Sequence, residues 1–321
     1  MILTVTPNTA LGRTLFVPAL LPNRRMSVTR RRLTVSGKGV DVSLVLHELG
    51  VATLALGFNA GETGRLHDTM LRKRGVPADW VWVDGETRMN VVVVGEQDHT
   101  HTTFSDDTLA VTPDDERMLV AKFLQHLAHA RCITLGGPLP RTASQDLYVH
   151  LIAAARRQRI PVIMDAIGPL AHEWLRASPT WIKPNREELA VLTGCSLETM
   201  ADVLAGAKNL HRQYGVNVLA SCDAEGAVAV ADGQIWRLHP LAVPVISPEG
   251  AGDAMVAGLA TALVQEKSIQ DSLRLSLATA AAAVMKEGVG ECDRVDVERL
   301  LPEVHIEQLH PPRSGTRTDR E

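Results

Sequence analysis

The chain has 321 residues, which is enough for one large core or two modest ones. Its formal net charge of −4 argues against a nucleic-acid partner, because proteins that bind a phosphate backbone usually carry an excess of basic residues. The four cysteines lie far apart without a C-x-x-C pair, so no zinc site or disulfide framework is predicted, and a reducing, cytoplasmic location is expected. No apolar run approaches about 18 residues, so no membrane span is predicted.

Short apolar runs rich in β-branched residues alternate with amphipathic stretches along the chain. Strands are predicted at 2–6, 52–57, 132–135, 161–165, 180–183 and 216–221. Helices are predicted over 40–49, after Thr112 as N-cap, and over 144–159 and 200–214. This alternation predicts an α/β fold, in which helices cover both faces of a mostly parallel sheet.

Two segments, 13–35 and 88–104, interrupt the alternation. Both are strand-like, mix polar and apolar residues, and have no helix of their own. They predict a small second sheet that stands off the main body. The polar stretch 310–321 contains proline and glycine and is predicted to be a disordered tail.

The strongest chemical motif is Gly250-Ala251-Gly252-Asp253, which precedes an apolar helical run. The N–H groups exposed at a helix start attract anions. Asp253, in the first turn, could accept a proton from a substrate hydroxyl while these amides hold the charge of a transferred phosphoryl group. A tight turn in which Asp253 only caps the helix explains the four residues equally well.

Two further motifs also stand at predicted helix starts. Asn185 and Glu188 follow Lys183 and Pro184 and share one helical face, which suits Mg²⁺, although an ordinary surface helix is the favoured interpretation of this segment alone. Glycines on both sides of a lysine suit a phosphate or polyol, although a solvated turn is the alternative and no P-loop pattern is present. The residues of this second motif are Gly37, Lys38, Gly39 and Asp41.

Single residues elsewhere give weaker signals. Arg88 and Asn90 begin the second irregular segment, where a guanidinium could clamp a phosphate. Asp223 and Gly226 belong to a predicted hairpin turn that could border a nucleotide.

Taken in order, these motifs resemble the PfkB (ribokinase-like) carbohydrate kinases, nearest to the branch of 1-phosphofructokinase and tagatose-6-phosphate kinase. The resemblance runs from about residue 2 to 309. The similar segments are 4–11 ("TLNPALD"), 36–42 ("GGKGINV"), 87–90 ("TRxN"), 165–170 ("DxSGxxL"), 183–188 ("KPNxxE") and 250–253 ("GAGD").

The resemblance implies a three-layer α/β/α kinase domain over 1–309 with a small β-sheet lid, which in relatives often pairs across a homodimer. It implies ATP- and Mg²⁺-dependent transfer of the γ-phosphate to a ketohexose phosphate, of the fructose 1-phosphate or tagatose 6-phosphate type. A kinase of another sugar, polyol or nucleoside is the first alternative. A catalytically weakened sensor that binds a sugar phosphate is the second.

The resemblance also implies roles for single residues. Asp253 would be the catalytic base, the amides of Gly250, Ala251 and Gly252 would form the anion hole, and Asn185 and Glu188 would organise Mg²⁺ through water. The nucleotide would lie against Lys183, Asn185, Glu188, Ser221, Asp223, Gly226 and Glu249. The sugar phosphate would face Gly12, Gly37, Lys38, Gly39, Asp41, Arg88 and Asn90.

The sequence departs from the family pattern at the edges of this site. Gly12 stands in place of an aspartate that accepts hydrogen bonds from the sugar, and loss of such an acceptor typically costs about 1–3 kcal/mol. Asp41 replaces the usual asparagine and could restore an acceptor, while Pro138 replaces a serine. Asp223 and Glu249 add negative charge where ATP phosphates are expected, which is unfavourable unless a cation offsets it. A changed substrate or weakened catalysis therefore stays open.

Overall fold

The computed structural model describes residues 1–98, 100–166, 168 and 171–309. The predicted tail and part of the segment 165–170 lie outside the described residues. The strands are β1 (Ile2–Thr6), β2 (Ala10–Val17), β3 (Arg30–Ser36), β4 (Thr53–Ala60), β5 (Ala78–Val83), β6 (Arg88–Gly95), β7 (Thr100–Ser105), β8 (Cys132–Gly136), β9 (Val162–Asp165), β10 (Trp181–Ile182), β11 (Asn217–Ser221), β12 (Ala227–Ala231), β13 (Gln234–Leu238) and β14 (Ile306–Leu309). The helices are α1 (Lys38–Glu48), α2 (Gly61–Lys73), α3 (Pro113–Leu127), α4 (Leu147–Arg157), α5 (Ala171–Arg176), α6 (Arg186–Thr193), α7 (Met200–Tyr214), α8 (Ala251–Val264), α9 (Ile269–Val284) and α10 (Arg294–Leu300).

Within the described residues, ten strands form the main sheet in the order β14-β13-β12-β11-β10-β9-β8-β1-β4-β5. In this spatial order, the neighbours in the run β11-β10-β9-β8-β1-β4-β5 pair in parallel. The strands β12, β13 and β14 extend the sheet beyond β11 as an antiparallel edge. All six predicted strands are present, and the predicted mostly parallel sheet is confirmed. The carboxyl ends of the parallel strands meet along one edge, where ligand sites of such sheets form.

Two layers of helices enclose this sheet, as the alternation of buried side chains along β1 shows. Ile2 packs into the core that faces α8 and α9, whereas Leu3 and Val5 pack into the core that faces α3 and α4. The three-layer α/β/α arrangement is therefore confirmed. No helix in the described ranges is long and apolar enough to cross a membrane.

The helices begin where capping residues predict. Thr112, Asn185 and Thr199 are N-caps whose side chains accept the third N–H of α3, α6 and α7, and an acidic side chain in each first turn returns the bond. Gly194 and Gly215 end α6 and α7 in the left-handed conformation.

A four-stranded sheet, called here the lid, stands apart from the main sheet in the order β3-β2-β6-β7. The two irregular segments supply its strands, which confirms the predicted second sheet. β2 and β6 run parallel, with Ala10 opposite Arg88 and Gly12 opposite Asn90. β2 begins at Ala10, three residues before the predicted segment, because the chain needs only Pro7, Asn8 and Thr9 to pass from β1 into the lid.

Candidate active site

Asp253 lies in the first turn of α8, at the edge where the parallel strands end. Gly250 is the N-cap and has a φ of 81°, a left-handed conformation that favours glycine. A Cβ atom at this position would also lie 3.0 Å from Val289 Cγ1. The Oδ1 atom of Asp253 is buried and reaches no hydrogen-bond partner among the described residues. The motif therefore places a carboxyl group, not a simple cap, inside the site.

The amides around Asp253 are oriented by the helix start. The N–H of Ala254 donates to the carbonyl of Gly250, which closes the first helical turn. The N–H of Ala251 donates to the carbonyl of Pro248 at 3.4 Å, which is long for such a bond. The amides of Gly252 and Asp253 belong to the first turn, whose N–H groups have no partner within the helix. This end of α8 can accept an anion.

Three charged side chains, called here the lysine cluster, lie beside this helix start: Lys38, Asp165 and Lys183. The Oδ1 atom of Asp165 lies 2.8 Å from Lys38 Nζ and 3.5 Å from Lys183 Nζ. A Cβ atom at Gly252 would lie 3.0 Å from Lys183 Nζ, so only a glycine lets this lysine approach the backbone so closely. The cluster brings three separate sequence motifs together around Asp253.

Asp165 is a site residue for which the sequence predicted no role. Its signal is its position, because it is the last residue of β9 and carboxyl ends of parallel strands are where side chains converge. Its Oδ2 atom is buried and has no hydrogen-bond partner in the described part of the chain. Burial would raise the pKa of Asp165, but Lys183 and Lys38 hold it below its ordinary value.

The pKa of Asp253 is raised to about 7, mainly by burial and further by the charge of Asp165, while Lys38 and Lys183 oppose the shift. Burial alone would lower the pKa of Lys38, but the charges of Asp165, Glu188 and Asp253 raise it above its ordinary value. The site therefore pairs a lysine that stays charged with a carboxyl group poised to exchange a proton near neutral pH. A pKa near 7 suits a general base.

A cleft of about 570 Å³, called here the main cleft, opens from Asp253 between α8, α9 and the β11–β12 turn. Its lining combines charged side chains, among them Lys38, Asp165 and Asp253, with apolar residues such as Leu241 and Leu277. Such a mixed lining suits a ligand with a charged group and a flat apolar ring. Five residues predicted to contact a nucleotide line this cleft: Lys183, Asn185, Ser221, Asp223 and Gly226.

Glu249 differs from this prediction. It lines an adjoining cleft of about 670 Å³ under the lid, together with Arg30, Arg32 and Glu287, and Pro248 lines both clefts. The left-handed backbone of Gly250 turns the chain between Glu249 and α8, so Glu249 and the first residues of α8 face different clefts. The negative charge of Glu249 is consequently not placed in the wall of the main cleft.

Asn185 and Glu188 form a reciprocal helix cap. Asn185 Oδ1 accepts the N–H of Glu188 at 2.7 Å, and Glu188 Oε2 accepts the N–H of Asn185 at 2.9 Å. The other oxygen of Glu188 lies 3.4 Å from Lys38 Nζ and so faces the lysine cluster. No group of three or more His, Cys, Asp or Glu side chains that could hold a metal ion is found within the described ranges.

Asn185, Glu188 and Asp165 could hold Mg²⁺ mainly through bridging water molecules. Mg²⁺ keeps several waters and binds proteins through one or two carboxylates together with substrate phosphates. The partnerless Oδ2 of Asp165 and the partly engaged Glu188 offer oxygens of the right kind. They suit an ion held largely through water and phosphate.

Asp41, in α1, is deeply buried and lies within reach of the charge of Asp253. Its Oδ2 atom accepts the N–H of Gly37 at 3.2 Å, and its Oδ1 atom has no partner in the described chain. Burial and the charge of Asp253 raise the pKa of Asp41 well above its ordinary value, against the effects of the Gly37 N–H and Arg74. Gly39 packs against β1, where a Cβ atom would lie 2.6 Å from Thr6 Oγ1.

The predicted sugar-side residues of the lid lie near its junction with the body. Arg88 donates to the carbonyl of Asn8 at 3.4 Å, while its Nε atom is buried without a partner in the described residues. Burial lowers the pKa of Arg88, and Asp107 and Asp106 oppose that shift. A Cβ atom at Gly12 would lie 2.6 Å from Thr34 Oγ1, so Thr34 crowds the position of the missing aspartate. Asn90 accepts a hydrogen bond from Ser105 at 2.7 Å.

Relatives of known name match nearly the whole chain. The chain is 31% identical over 307 residues to 1-phosphofructokinase of Escherichia coli K12, covering 96% of this chain and 98% of the relative. It is 32% identical over 311 residues to 1-phosphofructokinase of Vibrio cholerae, covering 97% and 98%.

Solved structures are similar over the same length. E. coli phosphofructokinase-2, both in complex with fructose-6-phosphate and in a tetrameric inhibited form, has a TM-score of 0.84 and 26% identity, covering 94% of this chain and 98% of that one. The profile of the pfkB family carbohydrate kinases matches residues 9–295. The chain therefore belongs to the pfkB family of carbohydrate kinases, which are ATP-using phosphotransferases with an alcohol group as acceptor.

Proposed function

We propose that this kinase transfers the γ-phosphate of ATP, with Mg²⁺, to a hydroxyl of a ketohexose phosphate of the fructose 1-phosphate or tagatose 6-phosphate type. The observation that carries the proposal is the carboxyl group of Asp253, whose Oδ1 atom is buried without a partner among the described residues. This group lies in the first turn of α8 and lines the main cleft beside two lysines. The names of the E. coli and V. cholerae relatives support a phosphorylated ketohexose as the acceptor.

In this mechanism Asp253 takes the proton of the attacking hydroxyl. Its pKa of about 7 leaves part of the enzyme with an ionised carboxylate at neutral pH, and keeps that carboxylate basic. The first-turn amides after Gly250 hold the charge that develops on the transferred phosphoryl group, with the positive end of the α8 dipole behind them. Lys38 and Lys183 add positive charge close to that group, and Asp165 holds both lysines in place.

The main cleft would hold the nucleotide. Ser221, Asp223 and Gly226 border it at the β11–β12 turn, and the apolar residues of α9 would contact the adenine ring. Asn185, Glu188 and Asp165 would hold Mg²⁺ through water. When bound, the ion would supply positive charge between the phosphates of ATP.

The acceptor would lie between α1 and the lid. Arg88 would bind its phosphate group, since a partly buried guanidinium with unused donors suits an anion. Asp41 would contact a sugar hydroxyl through its partnerless Oδ1. We also propose that the lid pairs in a homodimer. The tetrameric form of E. coli phosphofructokinase-2 makes the measured molar mass an informative check of this point.

The substrate is tested by ADP release with Mg-ATP and a panel of acceptors: fructose 1-phosphate, tagatose 6-phosphate, fructose 6-phosphate and unphosphorylated sugars. We expect the highest kcat/KM with one of the first two. Turnover only with unphosphorylated sugars or polyols would overturn the substrate class. Binding of a sugar phosphate in calorimetry, with no turnover and no Mg-ATP binding, would instead identify a sensor.

A further inference from the structure

Three strands of the lid meet the main body close to two buried polar side chains that the mechanism does not use. β2 begins directly after Thr9, β6 begins directly after Thr87, and β3 ends at Ser36. Asn59, near the end of β4, and His67, in α2, are both fully buried. A buried amide and a buried imidazole need specific partners, and here the partners belong to the lid junctions.

A single oxygen of Asn59 connects two of these junctions. The single proton of the Thr9 hydroxyl is shared between two acceptors, Asn59 Oδ1 at 2.8 Å and the carbonyl of Phe58 at 2.6 Å. The hydroxyl of Thr87 donates to the same Oδ1 at 3.2 Å and accepts the N–H of Ala60 at 2.8 Å. Because β2 and β6 are paired with Ala10 opposite Arg88, their first residues are close enough for one side chain to reach both.

His67 orients this amide. Asn59 Oδ1 accepts from hydroxyls, so Asn59 Nδ2 is the donor toward His67 Nδ1, 3.3 Å away. The ring proton then lies on Nε2, which is buried and has no hydrogen-bond partner in the described chain. Burial lowers the pKa of His67 to about 4, and the backbone of Ser36 partly opposes that shift, so the ring is neutral at neutral pH. The ring also packs edge-on against Trp80 with centroids 5.4 Å apart, which limits its rotation.

We propose that Asn59 and His67 form a positioning pair that fixes the junctions of β2 and β6 on the body and thereby holds Arg88 against the substrate phosphate. Arg88 follows Thr87 directly, so a displaced Thr87 displaces the guanidinium. The proposal rests on the proposed function, because that function gives Arg88 its phosphate. The lining of the main cleft includes neither Asn59 nor His67 and no residue of the β2 or β6 junction, so nucleotide binding should not depend on the pair.

The test is the double variant Asn59→Leu/His67→Phe. Replacing both partners by apolar side chains of similar size leaves neither the amide nor the imidazole buried without the other, so the variant should still fold. Thr87→Val, which removes only the hydroxyl on the lid side, is a second and milder variant. The matched control is Thr53→Val, at the opposite end of β4, where a buried hydroxyl lies 2.8 Å from Ser43 Oγ and touches no lid strand.

We expect KM for fructose 1-phosphate to rise at least about fivefold in the double variant, while KM for ATP changes by less than about twofold. Thr87→Val should change KM in the same direction by a smaller factor, and Thr53→Val should change neither KM. Amide hydrogen exchange should become faster in β2 and β6 of the double variant and stay unchanged in β11.

A folded double variant with unchanged KM for fructose 1-phosphate and unchanged exchange in the lid would overturn the proposal. Equal changes in both KM values would also overturn it, because they would indicate general loosening. If the double variant does not fold, the same readouts from Thr87→Val decide. If the wild type shows no turnover, the proposed function fails, and hydrogen exchange still reports whether the pair fixes the lid.

Discussion

The two sides of the candidate site treat buried charge differently. In the lysine cluster, Lys38 and Lys183 share Asp165, so opposite charges neutralise one another within the protein. On the sugar side, Asp41 Oδ1 and Arg88 Nε are buried and reach no partner in the described chain. A buried polar atom without a hydrogen bond costs about 1–3 kcal/mol, so such atoms indicate where a ligand supplies the missing partner. Asp165 pairs with the two lysines when the chain folds, although its Oδ2 atom keeps no partner in the described chain, and we expect a substrate to supply the missing partners on the sugar side.

The largest effect is expected at the boundary between the two sides. Asp253→Asn removes the proton acceptor but keeps the shape of the side chain. We expect kcat to fall by about 10²- to 10⁴-fold, the usual contribution of a general base, with little change in KM for ATP. Steady-state kinetics with Mg-ATP and fructose 1-phosphate measure both.

Asp271→Asn is the control for that variant, because Asp271 also lies in the first turn of a helix, α9, but is exposed and bonded to Ser268. An Asp253→Asn enzyme with wild-type kcat would show that Asp253 is not the base. Asp253→Asn should also make the protein more stable at pH 8. Folding raises the pKa of Asp253, so the stability of the wild type falls as pH rises from the ordinary carboxyl range to about 7.

Loss of one charge should weaken substrate binding more on the sugar side than in the lysine cluster. Arg88→Ala removes a guanidinium whose Nε has no protein partner in the described residues. We expect KM for fructose 1-phosphate to rise about 10- to 100-fold, as for hydrogen bonds to charged groups, with KM for ATP nearly unchanged. Arg13→Ala, on an exposed residue of the neighbouring strand β2, is the control. Equal increases in both KM values would mean that Arg88 supports the fold and not the phosphate.

Loss of one charge in the lysine cluster should shift the pH dependence of kcat/KM. Asp165 raises the pKa of Asp253, so Asp165→Asn should lower that pKa below about 7 and move the acidic limb of the kcat/KM profile to lower pH. Asp79→Asn is the matched control, since Asp79 pairs with Lys122 and His126 on the strand β5 at the far edge of the sheet. An unmoved acidic limb in Asp165→Asn would show that the two carboxyl groups do not interact.

The features that could be predicted from sequence carry local signals. Thr112 with Asp115 forms the expected helix cap, and helix 200–214 matches its predicted bounds, because capping and apolar periodicity act over a few residues. The glycines before Asp253 likewise predict a helix start. The lid was predicted from its lack of helices, but its first strand begins earlier, at Ala10, because β1 and β2 are joined by only three residues.

Features that depend on distant contacts could not be predicted. Lys38 and Asp165 are 127 positions apart, and no local pattern shows that the start of α1 meets the end of β9. Asn59 is one of two polar residues, with Thr53, in an otherwise apolar strand, and only the structure reveals that Thr9 and Thr87 meet at its amide. Glu249 was expected at the nucleotide because it adjoins Gly250. The left-handed backbone of Gly250 turns the chain at this point, so Glu249 and the first turn of α8 line different clefts.

The smallest effect is expected at Asp41. Its protonation state decides whether the sugar side holds an unpaired negative charge or a neutral carboxylic acid. Burial and the charge of Asp253 raise its pKa well above the ordinary value. A protonated Asp41 has one O–H donor and one carbonyl acceptor, so it resembles an asparagine in shape and in hydrogen bonding. Asp41→Asn should therefore change KM for fructose 1-phosphate by less than about fivefold at pH 7.

The pH dependence of stability gives the sharper measurement of Asp41. Because its pKa is higher in the folded chain than in the unfolded chain, the wild type loses stability as pH rises above the ordinary carboxyl range. Asp41→Asn removes that loss, so its melting temperature should exceed that of the wild type by a margin that grows from pH 5 to pH 8. A constant margin would mean that Asp41 is ionised throughout, and that Arg74 or another cation pairs with it after folding. In that case the sugar side would hold paired charge as the lysine cluster does, and the contrast between the two sides would rest on Arg88 alone.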